Sequence, residues 1–138
     1  MSTEGNKELG RRFFENQDRL RGGPDEALCA AGYTAHLGSL PPMDLAGHQG
    51  FATMFYGAFP DLHHTVEEVI GEGDRIAVRF TIRGTHQGPF MGVEPTGRTM
   101  TSTALVTMRL RDGKVEELHG QFDALGMLQQ LGAVPAPG

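Results

Sequence analysis

Apolar and polar residues alternate with a helical period in the first half of the chain and with a period of two in the second half. The helical period predicts a helix over Asn6 to Arg21, a short second helix from Pro24 to Ala31, and a third helix from about Leu45 to Phe59. Tyr33 to Leu37 is predicted to be a short extended segment. The first half is therefore expected to be mainly helical.

The second half of the chain predicts two long antiparallel hairpins. His64 to Glu72 and Ile76 to Ile82 flank a glycine-rich turn, and in the second of these segments apolar residues alternate strictly with other residues. Thr99 to Arg111 and Lys114 to Phe122 flank Asp112-Gly113, a dipeptide typical of a tight hairpin turn. The intervening segment, rich in glycine and proline, is expected to be a loop.

A short closing helix is predicted from Asp123 to Leu131, and residues 135–138 are expected to be a disordered tail. Helices followed by antiparallel strands indicate a single α+β domain over residues 1–134, with the N-terminal helices packed on one face of a curved, mostly antiparallel sheet. A sheet curved in this way forms a cone, and the mouth of the cone is expected to hold one apolar pocket.

The other face of this sheet is expected to point outward. The residues placed there by strand alternation are Val69, Arg79, Thr81, Arg83, Leu105 and Thr107. Because a second copy of the chain commonly covers an open sheet face, the protein is expected to form a homodimer.

Composition excludes several classes of partner. The 12 basic and 17 acidic residues give a net charge of −5, and no run of Lys or Arg indicates a surface for nucleic acid. The longest apolar stretches are far shorter than a membrane span, and the N-terminus lacks the apolar core of a signal peptide. A cytoplasmic protein that binds neither nucleic acid nor membrane is therefore expected.

The chain offers few residues for metal or redox chemistry. Cys29 is the single cysteine, so an internal disulfide is excluded, and it is expected to be a small buried apolar residue. His63 and His64 are adjacent on a predicted strand, where neighbouring side chains point to opposite faces, so a shared ion is not expected. No phosphate-binding loop, HExxH motif or serine elbow is present in the sequence. The protein is expected to use no metal and no cofactor.

A series of different short motifs extends along nearly the whole chain. They are Arg12-Phe13-Phe14, Tyr33-x-x-His36, Ala58-Phe59-Pro60-Asp61-Leu62, Gly71-Glu72-Gly73-Asp74, Gly84-Thr85-His86-Gln87-Gly88, Pro95-Thr96-Gly97-Arg98, Arg111-Asp112-Gly113-Lys114, Asp123-Ala124-Leu125-Gly126 and Leu128-Gln129-Gln130-Leu131-Gly132. In this order they resemble the SnoaL-like polyketide cyclases of the nuclear-transport-factor-2-like superfamily. The resemblance implies the cone-shaped α+β barrel of that superfamily. It also implies cofactor-free, aldol-type cyclisation of a small, apolar, carbonyl-rich substrate, a lyase or isomerase reaction.

The resemblance places the acid/base of these cyclases, an aspartate at the end of the last strand, on Asp123. Regular alternation from Val115 would put His119, Gln121 and Asp123 on one face of that strand, opposite Val106, Ala104 and Ser102. A carboxylate in an apolar cavity is a stronger base than one in water and suits proton abstraction beside a carbonyl. The alternative interpretation is that Asp123 only caps the final helix.

The remaining candidate site residues are expected to bind substrate. They are Phe14, Tyr33, His36, Phe51, Phe55, Ser102, Ala104 and Met108. The resemblance implies that His36 lines the pocket, where it, His119 or Gln121 would stabilise an oxyanion; a structural role for His36 is the alternative. Ala104 departs from the polar residue implied at its position, which favours a non-catalytic ligand-binding module. A third hypothesis is water addition in the same pocket, as in epoxide hydrolases of related fold.

Overall fold

Helices and strands follow one another in nearly the predicted order. The structure is a computed structural model that describes residues 2–135. Its elements are α1 (Thr3–Leu20), a 3₁₀ helix (Glu26–Leu28), β1 (Cys29–Leu37), α2 (Leu45–Ala58), β2 (His63–Glu72), β3 (Arg75–Thr85), β4 (Thr99–Arg111), β5 (Lys114–Phe122) and α3 (Ala124–Gln130).

The five strands form one sheet in the order β1-β5-β4-β3-β2. All neighbouring pairs are antiparallel except β1 and β5, which run parallel. Both predicted hairpins are confirmed, as is the α+β class with its helices on a mostly antiparallel sheet. Residues 136–138, most of the predicted disordered tail, lie outside the described residues.

The prediction of a helix from Pro24 to Ala31 is wrong. Only one 3₁₀ turn forms, over Glu26–Leu28, and β1 begins directly after it at Cys29. Cys29 pairs with Val115 of β5, so the sheet takes up a segment whose composition favours a helix. Tertiary pairing outweighs the local helical preference here, because propensity differences are only tenths of a kcal/mol per residue.

Helix α1 packs across β2 and β3 and covers one end of the sheet. Ser2 caps its N-terminus by accepting a hydrogen bond from the Gly5 N–H at 3.0 Å, and Arg21 ends it in the left-handed region at φ 56°. A methyl group at Gly10 would lie 2.6 Å from Ile76 Cδ1, so glycine permits the close approach of helix and sheet. This packing places Phe13, Phe14 and Gln17 against the inner sheet face.

A β-bulge in β5 determines which side chains face the core. Arg109 is paired with Glu117, whereas Leu110 is paired with Val115, so one extra residue is accommodated at Glu116. The extra residue reverses the alternation, because side chains on a strand change faces with every residue. Val115, Leu118 and Gly120 are all buried, while His119 and Gln121 are exposed.

A second bulge lies in β2 between Val66 and Glu68. It turns Val69 into the core, where the residue is buried, and leaves Ile70 exposed. The prediction that Val69 lies on the outer face is therefore wrong. Arg79 and Arg83 are exposed on the outer face as predicted, and Arg79 Nε lies 3.5 Å from Glu68 Oε1.

Within residues 2–135, no helix has both the length and the apolar character needed to cross a membrane.

Candidate active site

An apolar cavity of about 100 Å³ lies between α1, α2 and the inner face of the sheet. Its wall consists of Phe13, Phe14, Gln17, Leu37, His48, Phe51, Ala52, Phe55, Tyr56, Leu62, His64, Phe80, Ile82, Ala104, Val106, Leu118 and Phe122. Polar side chains enter this wall at only four of these positions: Gln17, His48, Tyr56 and His64. All four lie on the helices or at the start of β2.

A wider vestibule of about 390 Å³ adjoins the cavity. The two spaces share Leu37, Phe51, Phe55 and Phe122, so these side chains stand at the boundary between them. Leu40, Met54 and Met91 line the vestibule and are exposed apolar side chains. The vestibule is therefore lined mainly by apolar side chains, as the cavity is.

His64 lines the cavity and is hydrogen-bonded to Asp18, which does not itself line it. His64 Nδ1 lies 2.7 Å from Asp18 Oδ1, and the His64 backbone N–H donates to Asp18 Oδ2 at 2.7 Å. The hydroxyl of Tyr56 donates to Asp18 Oδ1, also at 2.7 Å. The side chains of His64 and Asp18 are only 9% and 14% exposed. The imidazole packs against both Phe14 and Phe80, which also contact each other, with ring centroids 5.4 Å from each.

The environment of Asp18 keeps this carboxyl group ionised. Burial alone would raise the pKa of Asp18, but the hydrogen bonds from His64 and Tyr56 outweigh it, and the pKa is lowered. Since an ionised carboxylate only accepts hydrogen bonds, His64 Nδ1 must be the donor. The tautomer of neutral His64 is thereby set, with the lone pair on Nε2.

His48 forms a second polar pair with Tyr33, and its own ring lines the cavity. Tyr33 Oη lies 2.7 Å from His48 Nδ1, and both side chains are buried. Burial lowers the pKa of His48 to about 4, so the ring is neutral at pH 7. His48 Nδ1 is the only hydrogen-bond partner of the Tyr33 hydroxyl within residues 2–135. The hydroxyl therefore donates to Nδ1, and the proton of the neutral ring lies on Nε2.

Four of the predicted substrate-binding residues line the cavity: Phe14, Phe51, Phe55 and Ala104. Tyr33 lies one layer behind the wall, in contact with His48. Ser102 and Met108 are buried on the inner sheet face but do not line the cavity, so their predicted positions are wrong.

The predicted positions of Asp123, Gln121 and His119 in the cavity are wrong. Asp123 is exposed, and its Oδ1 accepts the Gly126 N–H at 2.8 Å, so it caps α3. Its acid/base role stays a prediction. Gln121 and His119 are exposed on the outer face, because the bulge in β5 moves the register by one residue. Phe122, not Gln121, pairs with Ala104 and faces the cavity.

His36 also lies on the outer face, away from the cavity. It pairs across the sheet with His119, and the two rings are stacked with centroids 4.3 Å apart. His36 Nε2 lies 3.2 Å from Glu117 Oε2. The predicted position of His36 in the cavity is therefore wrong.

Sequence reasoning missed the residues that bring polar chemistry into the cavity. Asp18 lies one helical turn after Phe14, on the inner face of α1, and His48 precedes Phe51 and Phe55 on one face of α2. The signal in the sequence for such a residue is a titratable side chain at helical spacing from aromatic residues that face the core. Strand alternation predicts that His63 and His64 point to opposite faces, yet both rings reach Asp18, with His63 Nδ1 at 3.2 Å from Oδ2.

The fold is that of a small α+β protein whose helices and curved sheet surround an apolar cavity. The chain belongs to the SnoaL-like polyketide cyclase family, whose pattern matches residues 21–131. Asp18 precedes the matched region.

Similar proteins include two curated relatives and several solved structures. The aklanonic acid methyl ester cyclase DnrD of Streptomyces peucetius is 30% identical over 93 residues, a match that covers 64% of each chain. DauD of Streptomyces sp. strain C5, named as the same cyclase, is 31% identical over 94 residues, and the match covers 64% of this chain and 58% of DauD. The matched region thus spans about three fifths of each curated relative.

Two solved structures extend the likeness to nearly the whole chain. AclR of Streptomyces galilaeus, described as a candidate hydroxylase, is 28% identical with a TM-score of 0.87 over 99% of this chain and 87% of its own. IdmH of Streptomyces antibioticus, described as a candidate polyketide cyclase, is 33% identical with a TM-score of 0.81 over 92% of this chain and 98% of its own.

Proposed function

We propose that this protein is a cofactor-free cyclase that closes a ring in a small, apolar, carbonyl-rich molecule by an aldol-type reaction. The observation that carries the proposal is the Asp18–His64 pair at the wall of an otherwise apolar cavity. Membership of the SnoaL-like family and the similarity to DnrD and DauD support the same class of reaction.

His64 is the proposed base. With Nδ1–H held by Asp18, the Nε2 lone pair removes a proton from the carbon between two carbonyl groups of the substrate. The imidazolium that forms is stabilised by the ionised carboxylate 2.7 Å away. The resulting enolate carbon attacks a second carbonyl carbon of the same molecule, and the new alkoxide takes the proton back from His64. Atoms and electrons balance without an added reagent.

His48 is the proposed donor to the enolate oxygen. Because Tyr33 holds Nδ1 as an acceptor, His48 presents Nε2–H, and its low pKa keeps the ring from acting as a competing base. The two imidazoles of the cavity therefore have opposite roles. The Asp18 carboxylate makes His64 a proton acceptor at Nε2, and the Tyr33 hydroxyl makes His48 a donor at Nε2.

The dimensions of the cavity restrict how the substrate binds. A cavity of about 150 Å³ holds one benzene-sized molecule, whereas the inner space here is about 100 Å³. Only the reacting end of a polyketide would enter it, and the rest would occupy the vestibule of about 390 Å³. Phe51, Phe55 and Phe122 would then contact the substrate where it passes between the two spaces.

The test is cyclisation of aklanonic acid methyl ester, the compound in the names of the curated relatives, together with deuterium exchange at the acidic C–H of simple 1,3-diketones. His64→Gln should lower both rates by about 10²- to 10⁴-fold, because positioned proton transfer contributes that much. Asp18→Asn should lower them as well, since an amide leaves His64 in the wrong tautomer.

Asp123→Asn is the decisive comparison, because the family resemblance assigns the base to Asp123. Asp44→Asn is its matched control, since Asp44 caps α2 as Asp123 caps α3. We expect both variants to cyclise at the rate of the parent protein. Loss of turnover in Asp123→Asn alone, with normal rates in His64→Gln, would assign the base to Asp123 and overturn the role of His64.

The two alternatives predict other results in the same assays. Water addition would convert an epoxide to a diol with the 1,3-diketone exchange unchanged. A non-catalytic module would bind apolar ligands in the cavity and catalyse neither reaction. Either result contradicts the proposed cyclisation.

A further inference from the structure

Three metal-ligating side chains converge on the outer sheet face, on the opposite side from the cavity. They are His36 of β1 and Glu117 and His119 of β5, and their ligand atoms all lie within 4.8 Å of one another. We infer that these residues bind a divalent transition-metal ion, with Zn²⁺ as the best match. The inference is independent of the proposed cyclase activity.

The backbone holds the three residues in register. His36 and His119 are direct partners in the parallel pair of β1 and β5, and Glu117 precedes His119 by two residues on the same face. The bulge at Glu116 places Glu117 and His119 outward, so the feature that removes them from the cavity also brings them beside His36. The backbone is therefore already in place for an ion, and binding needs only a rotation of the stacked imidazole rings that turns both Nε2 atoms toward it.

Two separations within the cluster are close to those between ligand atoms around a tetrahedral ion. Glu117 Oε2 lies 3.2 Å from His36 Nε2, and Glu117 Oε1 lies 3.5 Å from His119 Nε2. Ligand atoms about 2.1 Å from Zn²⁺ in a tetrahedron are about 3.4 Å apart. Two imidazoles and one carboxylate form a ligand set that Zn²⁺ uses in proteins, and water would complete it, since the His119 side chain is 57% exposed.

The positive charge of Arg109 lies beside the proposed site and should weaken metal binding, which gives the inference a distinctive test. Its Nη2 lies 3.5 Å from Glu117 Oε1, while its Nη1 lies 3.0 Å from Glu116 Oε1. A guanidinium beside a ligand carboxylate repels a second cation. Removing the Arg109 charge should therefore tighten metal binding, an effect that a purely structural histidine stack does not predict.

The experiment is a calorimetric titration of tag-free, EDTA-treated protein with zinc chloride, combined with melting curves. We expect one Zn²⁺ per chain and a melting temperature that rises with zinc concentration, because binding to the folded state alone stabilises it. His119→Ala, His36→Ala and Glu117→Gln should each weaken binding by at least about tenfold, and Arg109→Gln should strengthen it.

His63→Ala is the control, since His63 is an exposed histidine whose ring contacts a carboxylate outside this cluster. It should bind zinc as the parent protein does. The inference is overturned if the parent protein shows no saturable binding, or if binding is lost in His63→Ala and kept in His119→Ala. Melting curves without zinc show whether each variant is folded, so a loss of affinity is not mistaken for unfolding.

Discussion

At the scale of single residues, burial decides the charge of His48. Its pKa is lowered to about 4 in the folded protein by burial, whereas an unfolded histidine titrates near 6.5. Between these values the unfolded chain binds a proton that the folded chain does not, so stability rises with pH across this window. The lowered pKa of Asp18 acts only at lower pH, because its contribution is lost as pH falls below about 3.8.

This difference predicts a pH-dependent stability that His48 controls. The free energy of unfolding, measured with urea between pH 7.5 and 5, should fall with decreasing pH in the parent protein and fall less in His48→Gln. The same slope in both proteins would contradict the neutral, buried state assigned to His48.

The single thiol gives a second prediction at this scale. Cys29 is buried as predicted, and burial raises its pKa to about 12, so almost no thiolate exists at neutral pH. Iodoacetamide at pH 8 should therefore leave native protein unmodified and label it in 8 M urea. Equal labelling rates with and without urea would show that the thiol is accessible.

At the scale of elements, the bounds of α2, β4 and β5 follow from the sequence almost to the residue, but the face of each β5 side chain does not. A strand period of two is correct only until a bulge adds a residue, and then every later side chain changes sides. Val115 and Leu118, both apolar and three apart, were the signal for the bulge at Glu116. Reading β5 as regular placed Asp123, Gln121 and His119 in the cavity.

Deleting Glu116 tests this account of β5. Without the extra residue, either the buried Val115 or the buried Leu118 together with the partly buried Phe122 must face outward. Exposing a buried leucine or phenylalanine costs about 1.5–3 kcal/mol, so the deletion should lower the melting temperature by many degrees. An unchanged melting temperature would show that the bulge does not set the register.

At the scale of the whole molecule, the predicted homodimer remains open to experiment. Leu105 lies on the outer face of β4 and is 51% exposed, with Thr107 exposed beside it on the same strand. A second copy covering this face would bury them. Light scattering after gel filtration should give the mass of a dimer, and Leu105→Arg should shift it toward the monomer. A parent protein that elutes as a monomer at micromolar concentration would contradict the prediction.

The sequence by itself determined the elements that depend on local periodicity and turns: the amphipathic α1, the Asp112-Gly113 hairpin and the family motifs. It did not determine the start of β1, residues 29–32, which became strand because β5 offered hydrogen bonds there. Nor did it bring Asp18 to His64, 46 residues apart, or His36 to Glu117, 81 apart. Such contacts depend on strand order and bulge position, which are settled by the pairing of the whole sheet and not by any local pattern.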